Sequence, residues 1–155
     1  MEKLVDVLDA HCTFPAIEKV KLFKRCLFNY LVGNEDMHLK NFSLITRNGK
    51  VELAPGYDFL NTTLAFMCIG KRLEDIEEIA LPLKGRKKRL SLLVWRRYYG
   101  MERLGLNEKT LSAALSQLQA SIPTWRQLLS ESFLPTEQVA IYKDILSQRS
   151  DILFS

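Results

Sequence analysis

A chain of 155 residues, 47% hydrophobic and 26% charged, has the make-up of an ordinary globular domain able to bury roughly 68–70% of its unfolded surface. That mix excludes wholesale disorder, collagen and disulfide-scaffold classes, and no apolar run approaches the ~18 residues of a membrane span. The formal net charge of +4 is weak evidence for an anionic partner.

The first residues, Met1 to Asp6, lack the shape of a signal peptide because charges break the short apolar stretch. The expected compartment is the cytoplasm, with no membrane partner. Leu4, Val5 and Leu8 suggest a short helix stopped near Phe14-Pro15. Ile17, Val20, Phe23, Leu27 and Leu31 form a helical stripe over Ala16 to Leu31, and Gly33 should end that helix. Phe42 to Thr46 and Val51 to Ala54 read as short strands, joined at Asn48-Gly49, the strongest short hairpin signal. After Pro55-Gly56 the chain is expected to be irregular through about Phe66.

Much of the positive charge sits in Lys84-Gly85-Arg86-Lys87-Lys88-Arg89. This run reads either as a solvated loop or as a contact for phosphate, nucleic acid or an acidic surface. No aromatic residues interleave with it, so a base-stacking platform is disfavoured and direct nucleic-acid contact is not expected. Ser91 could cap a helix carrying Leu92, Leu93, Trp95 and Tyr99. Asn107 could cap the next, with Leu111, Leu115 and Leu118 buried. Pro123 suits the first turn of another helix, and Thr136-Glu137 opens a last one burying Val139, Tyr142 and Leu146. These stripes are core. Cys12, Cys26 and Cys68 are widely spaced and read as free, mostly buried thiols. With only His11 and His38 to join them, no zinc site is expected. Residues 1–155 are therefore expected to form one domain, mainly α (α+β), helical with one small β-hairpin.

The chemistry-bearing segment is Gly33 to Ser43, between the long helix and the hairpin. Asp36 and Asn41 are five residues apart, and Asp58 follows just beyond the hairpin. A loop carboxylate can accept a proton from an attacking hydroxyl. An amide oxygen five residues on can ligate a metal. A hairpin returns the chain, so Asp58 is expected to face Asn41 across one Mg²⁺, an ion that takes few protein oxygens and fills the rest with phosphate and water. An Asp base, an Asn ligand and an Asp ligand in this order are the parts of phosphoryl transfer in protein kinases.

Asp36-Met37-His38-Leu39-Lys40-Asn41 resembles the Asp-x-His-x-x-Asn loop shared by aminoglycoside phosphotransferases and phosphatidylinositol kinases. The longer string is more specific. Phe28 to Asn34, then Asp36, His38 and Lys40 to Ser43, then Leu53 to Thr62 with its Pro-x-Tyr-Asp segment, and Ala80 to Gly85, resemble HipA-like kinases. These are the serine/threonine kinase toxins of bacterial toxin–antitoxin modules, and the likeness is dense from about residue 17 to 106. It implies a protein-kinase-like C-terminal lobe whose hairpin carries the catalytic and metal loop. It implies that Asp36 is the base, that Asn41 and Asp58 hold Mg²⁺ under the phosphates of ATP, and that Lys40 neutralises the transferring phosphoryl group or pairs with Asp36. His38 would brace the loop, Tyr57 would pack under it, and Asn61 would stabilise the turn after Asp58.

The Gly-rich loop and strand lysine of the smaller kinase lobe are not found: the seven glycines are scattered, with neither phosphate-loop spacing. The ATP-covering N-lobe is thus expected to be absent from this chain. A complementary N-lobe or a longer kinase chain would supply it, or the lobe is degenerate. The resemblance implies a protein hydroxyl as acceptor, with aminoacyl-tRNA synthetases as substrate class, and a DNA-binding antitoxin as partner. The rival readings are a catalytically idle lobe that binds a partner in a toxin–antitoxin assembly, and a fragment of a small-molecule phosphotransferase.

Overall fold

The computed structural model describes residues 1–154. Five α-helices and one hairpin carry the architecture: α1 (Glu2–His11), α2 (Pro15–Val32), β1 (Leu44–Arg47), β2 (Lys50–Leu53), α3 (Thr62–Cys68), a π-helix (Val94–Arg103), α4 (Glu108–Ser130) and α5 (Thr136–Phe154). Short 3₁₀ turns lie at Leu39–Asn41 and Leu73–Asp75. Among the described residues no helix is long and apolar enough to cross a membrane.

Helix α2 is the axis of the molecule. Pro15 opens it, where a missing N–H costs nothing. Phe23, Leu27, Tyr30 and Leu31 are fully buried and join Trp95, Tyr99, Leu111 and Leu146 in one core. The expected stripe slips at its start. Ile17 is 55% exposed, whereas Glu18 is 3% exposed. The Glu18 carboxylate accepts bonds from Leu53 N–H (2.9 Å) and Lys21 Nζ (2.8 Å). A satisfied buried carboxylate thus takes the place next to the hairpin that an apolar residue was expected to hold.

The hairpin pairs Leu44 with Leu53 and Arg47 with Lys50. Asn48 (φ 49°) and Gly49 (φ 71°) both sit in the left-handed region, as a two-residue type I′ turn demands. Thr13 N–H donates to Val51 O (2.9 Å), tying the α1–α2 link to β2.

Three expectations are corrected beyond the hairpin. The segment after Gly56 is not irregular to Phe66, because α3 begins at Thr62, capped by Asn61, whose side chain accepts from Leu64 N–H (2.8 Å). Leu93 is 71% exposed. The helix after Ser91 is π-wound, with Leu104 N–H reaching Tyr99 O (2.9 Å), so Trp95 and Tyr99 face the core and Leu93 faces away. Pro123 does not start a helix; it lies inside α4. Packing on both sides of it, with Ile122 buried and Trp125 edge-on to Phe28 at 5.2 Å, holds the helix through the break.

Asn107 caps α4 as expected, accepting from Thr110 N–H at 2.9 Å, and Leu111, Leu115 and Leu118 are buried. In α5, Leu146 is buried while Val139 and Tyr142 are half-buried. Cys12 and Cys26 are buried and Cys68 is exposed, all as free thiols; burial pushes the Cys26 thiol up to about 11. Much of the basic run serves the fold itself. Lys87 pairs with Glu77 (2.9 Å), Lys88 donates to Asp75 O, and the Lys84 ammonium lies 5.4 Å from the Tyr98 ring. Arg86 and Arg89 remain exposed.

Candidate functional site

The site forms where α2 ends, where the hairpin begins and where it returns. Gly33 terminates α2 at φ 83°, a left-handed cap that glycine adopts without a Cβ penalty. A Cβ there would collide with the Asn61 amide, so the end of α2 and the cap of α3 are in direct contact.

Asn34 is the hub. It is 2% exposed, and its Nδ2 donates to Asn29 Oδ1 (2.8 Å) and to Asp58 O (2.8 Å). Its Oδ1 accepts from Asp36 N–H (3.2 Å). One buried amide therefore joins α2, the loop bearing Asp36 and the segment bearing Asp58.

Asn41 and Asp58 are brought together: Asn41 Nδ2 donates to Asp58 Oδ2 at 2.9 Å. Asn41 is buried in the 3₁₀ turn and Asp58 is exposed. Asp58 sits at φ 60°, a conformation costly for a side-chain-bearing residue and tolerated best by Asn and Asp. The bonds to its carbonyl from Asn34 and to its carboxylate from Asn41 hold it there. Asn41 Oδ1 and Asp58 Oδ1 make no hydrogen bond among the described residues.

The remaining expected residues are placed as follows. Asp36 is exposed, and its carboxylate makes no hydrogen bond or ion pair among the described residues. Its carbonyl accepts from His38 N–H (2.7 Å), and His38 O accepts from Asn41 N–H (3.0 Å), so Asp36 connects to the Asn41–Asp58 pair through backbone. His38 enters the loop's bonding through its main chain alone, and the buried Nδ1 of its ring has no partner among the described residues. Lys40 is exposed and makes no ion pair with Asp36 among the described residues; its carbonyl accepts from the Tyr57 hydroxyl (2.8 Å). Glu35, beside Asp36, is half-buried, and burial followed by the neighbouring Asp36 charge raises its pKa. Two carboxylates, exposed Asp36 and partly desolvated Glu35, thus stand side by side.

No group of three or more His, Cys, Asp or Glu that could hold a metal occurs among the described residues. The donor set that Asn41 and Asp58 present is of another kind: one amide oxygen and one carboxylate oxygen, both hard and both unengaged among the described residues. That set suits Mg²⁺, which takes one or two protein oxygens and completes its octahedron with phosphate and water.

Asn34 had no role assigned from sequence, although it stands within the recognised string. Its partners lie five residues back and twenty-four ahead, and nothing local marks an asparagine as a hub. Thr62 was also missed: its hydroxyl accepts from Glu35 N–H (3.1 Å) and donates to Gly33 O (3.5 Å).

The HipA-like C-terminal domain family matches residues 1–126. A kinase-named protein of Haemophilus influenzae is 27% identical over 152 aligned residues, covering 89% of this chain and 43% of the relative. The serine/threonine-protein kinase toxin HipA of Shewanella oneidensis is 28% identical over 117 residues, 75% of this chain and 25% of the relative. The kinase-named Y4mE of Sinorhizobium fredii is 39% identical over 66 residues, 38% of this chain and 16% of the relative. The chain spans less than half the length of these curated relatives. With the family matched from the first helix through most of α4, the chain belongs to the HipA-like C-terminal domains.

Proposed function

We propose that this chain is the large, helical lobe of a HipA-like serine/threonine protein kinase, completed by an ATP-covering small lobe from a longer chain or a second polypeptide. The observation that carries the reading is the 2.9 Å contact of Asn41 with Asp58, formed across a hairpin and tied by Asn34 to the loop of Asp36.

Bound Mg²⁺ and ATP would supply the γ-phosphoryl group and neutralise its charge. Asn41 Oδ1 and the Asp58 carboxylate would hold the ion. Asp36, its carboxylate exposed and free of hydrogen bonds, would orient the acceptor hydroxyl and take its proton as the new P–O bond forms and the bond to ADP breaks. Lys40 would lie against the transferring phosphoryl group. The relative named a kinase toxin supports a toxin–antitoxin setting; the family resemblance alone adds a DNA-binding antitoxin as partner and a protein substrate of the aminoacyl-tRNA synthetase class.

The test is Asp36→Asn in the assembled kinase. Turnover is expected to fall about 10²–10⁴-fold, the usual worth of a general base, with nucleotide affinity held within about twofold. Full turnover in that variant would sink the assignment.

A further inference from the structure

Arg149 lies on α5, beyond the residues that the family matches. It is 3% exposed, yet among the described residues no carboxylate lies within ion-pair distance of it. A buried guanidinium is expensive unless its donors are used. Here Nη1 donates to Tyr30 O (2.5 Å), Nη2 donates to Thr63 Oγ1 (3.3 Å), and the group stacks over the Tyr30 ring at 5.2 Å.

Both acceptors sit at helix ends that frame the site. Tyr30 is in the last turn of α2, where its carbonyl accepts the 3.3 Å bond of the Gly33 cap N–H and has a second lone pair to offer, and the helix dipole favours a cation there. Thr63 is in the first turn of α3, and its N–H donates to Gly33 O (3.0 Å). The bonds continue without a gap. Thr62 Oγ1 holds Glu35 N–H, Asn34 Oδ1 holds Asp36 N–H, and Asn34 Nδ2 holds Asp58 O. Arg149 touches neither Asp36 nor Asp58, but it clamps the junction from which both hang.

We propose that Arg149 is a positioning residue: through Tyr30 and Thr63 it locks the end of α2 to the start of α3 and thereby sets Asp36 against Asp58. The catalytic consequence rests on the kinase reading above; the clamp itself does not.

The experiment is amide hydrogen exchange on the full chain, comparing wild type with Arg149→Met. Exchange at Glu35, Asp36 and Thr63 is expected to rise at least about tenfold, while Leu115 and Leu118 in α4 change by less than about threefold. Loop exchange that stays at wild-type rates, or rises only in step with α4, would overturn the proposal. Thr63→Val removes one acceptor and keeps the guanidinium. It is expected to loosen Glu35 and Asp36 in the same direction, so the proposal can still be decided if Arg149→Met does not fold; an unchanged loop in Thr63→Val counts against it. In the assembled kinase, Arg149→Met should lower kcat at least about tenfold with KM for ATP within about twofold. A raised KM with kcat intact would contradict positioning. If wild type transfers no phosphate, the kinase reading fails while the exchange result still decides the clamp.

Discussion

Asp58 illustrates how a strained residue is kept in place. Its left-handed backbone, at φ 60°, costs roughly 1–2 kcal/mol relative to the ordinary regions. Two asparagine amides offset that cost, one on its carbonyl and one on its carboxylate. Asn34→Ala removes the first and also orphans Asn29 Oδ1 and Asp36 N–H. Leaving buried polar groups unpaired costs about 1–3 kcal/mol, and urea denaturation should register a loss of that size. A stability equal to wild type would mean that water replaces the amide at no cost. The meeting of Asn41 and Asp58 was legible in the sequence, because a hairpin returns the chain and brings the residue beyond its second strand to the start of its first. Asn34 and Arg149 were not, since their value lies in partners distant along the chain: Tyr30 is 119 residues from Arg149.

The elements were legible where local chemistry decides them. Gly33, Asn48-Gly49 and Asn107 each mark a cap or turn through their own backbone or side-chain preference, and all three stand where expected. Helix α3 was hidden because seven residues opening with two threonines carry no periodic stripe, and its support is tertiary: Asn61 caps it, and Gly33 O accepts from Thr63 N–H. The path of α4 through Pro123 and the π-winding of Val94–Arg103 likewise follow from packing. Gly100 shows the closeness involved, since a Cβ there would lie 2.5 Å from Leu111 of α4. The contact between α2 and α3 makes a prediction at this scale. Gly33→Ala and Gly49→Ala both place alanine at positive φ, but only Gly33 faces a neighbour, Asn61. Gly49→Ala should cost about 1–2 kcal/mol from backbone alone, and Gly33→Ala measurably more in the same denaturation assay. Equal costs would show that Asn61 yields freely.

Across the whole molecule, a carboxylate near one end of the sequence binds two segments far away. Glu2 accepts from Lys84 N–H (2.9 Å) and from the Tyr98 hydroxyl (2.9 Å). Burial alone would raise its pKa, but the bonds from Lys84 N–H, its own backbone N–H, the Tyr98 hydroxyl and the Met1 ammonium together outweigh it and hold the carboxyl at about 2, below its ordinary 4.5. A depressed folded-state pKa contributes stability that is fully present above about pH 4.5 and is lost as pH falls toward about 2. Glu2→Gln should therefore be less stable than wild type at pH 7, and the gap should narrow at pH 3, measured by urea unfolding at each pH. A gap independent of pH would exclude the linkage.

At the same scale, the proposed Mg·nucleotide site of Asn41 and Asp58 lies in a chain that spans less than half the length of its relatives. The direct measurement is a thermal melt of this chain with and without Mg·ATP, beside Asp58→Ala. At a hundredfold excess over Kd, binding contributes about 2.7 kcal/mol. For a domain of this size that raises Tm by roughly 5–11 °C, at about 2–4 °C per kcal/mol. A rise of that order, requiring both magnesium and Asp58, is the expected outcome. A Tm that does not move under saturating Mg·ATP, or that rises equally in Asp58→Ala, would contradict it.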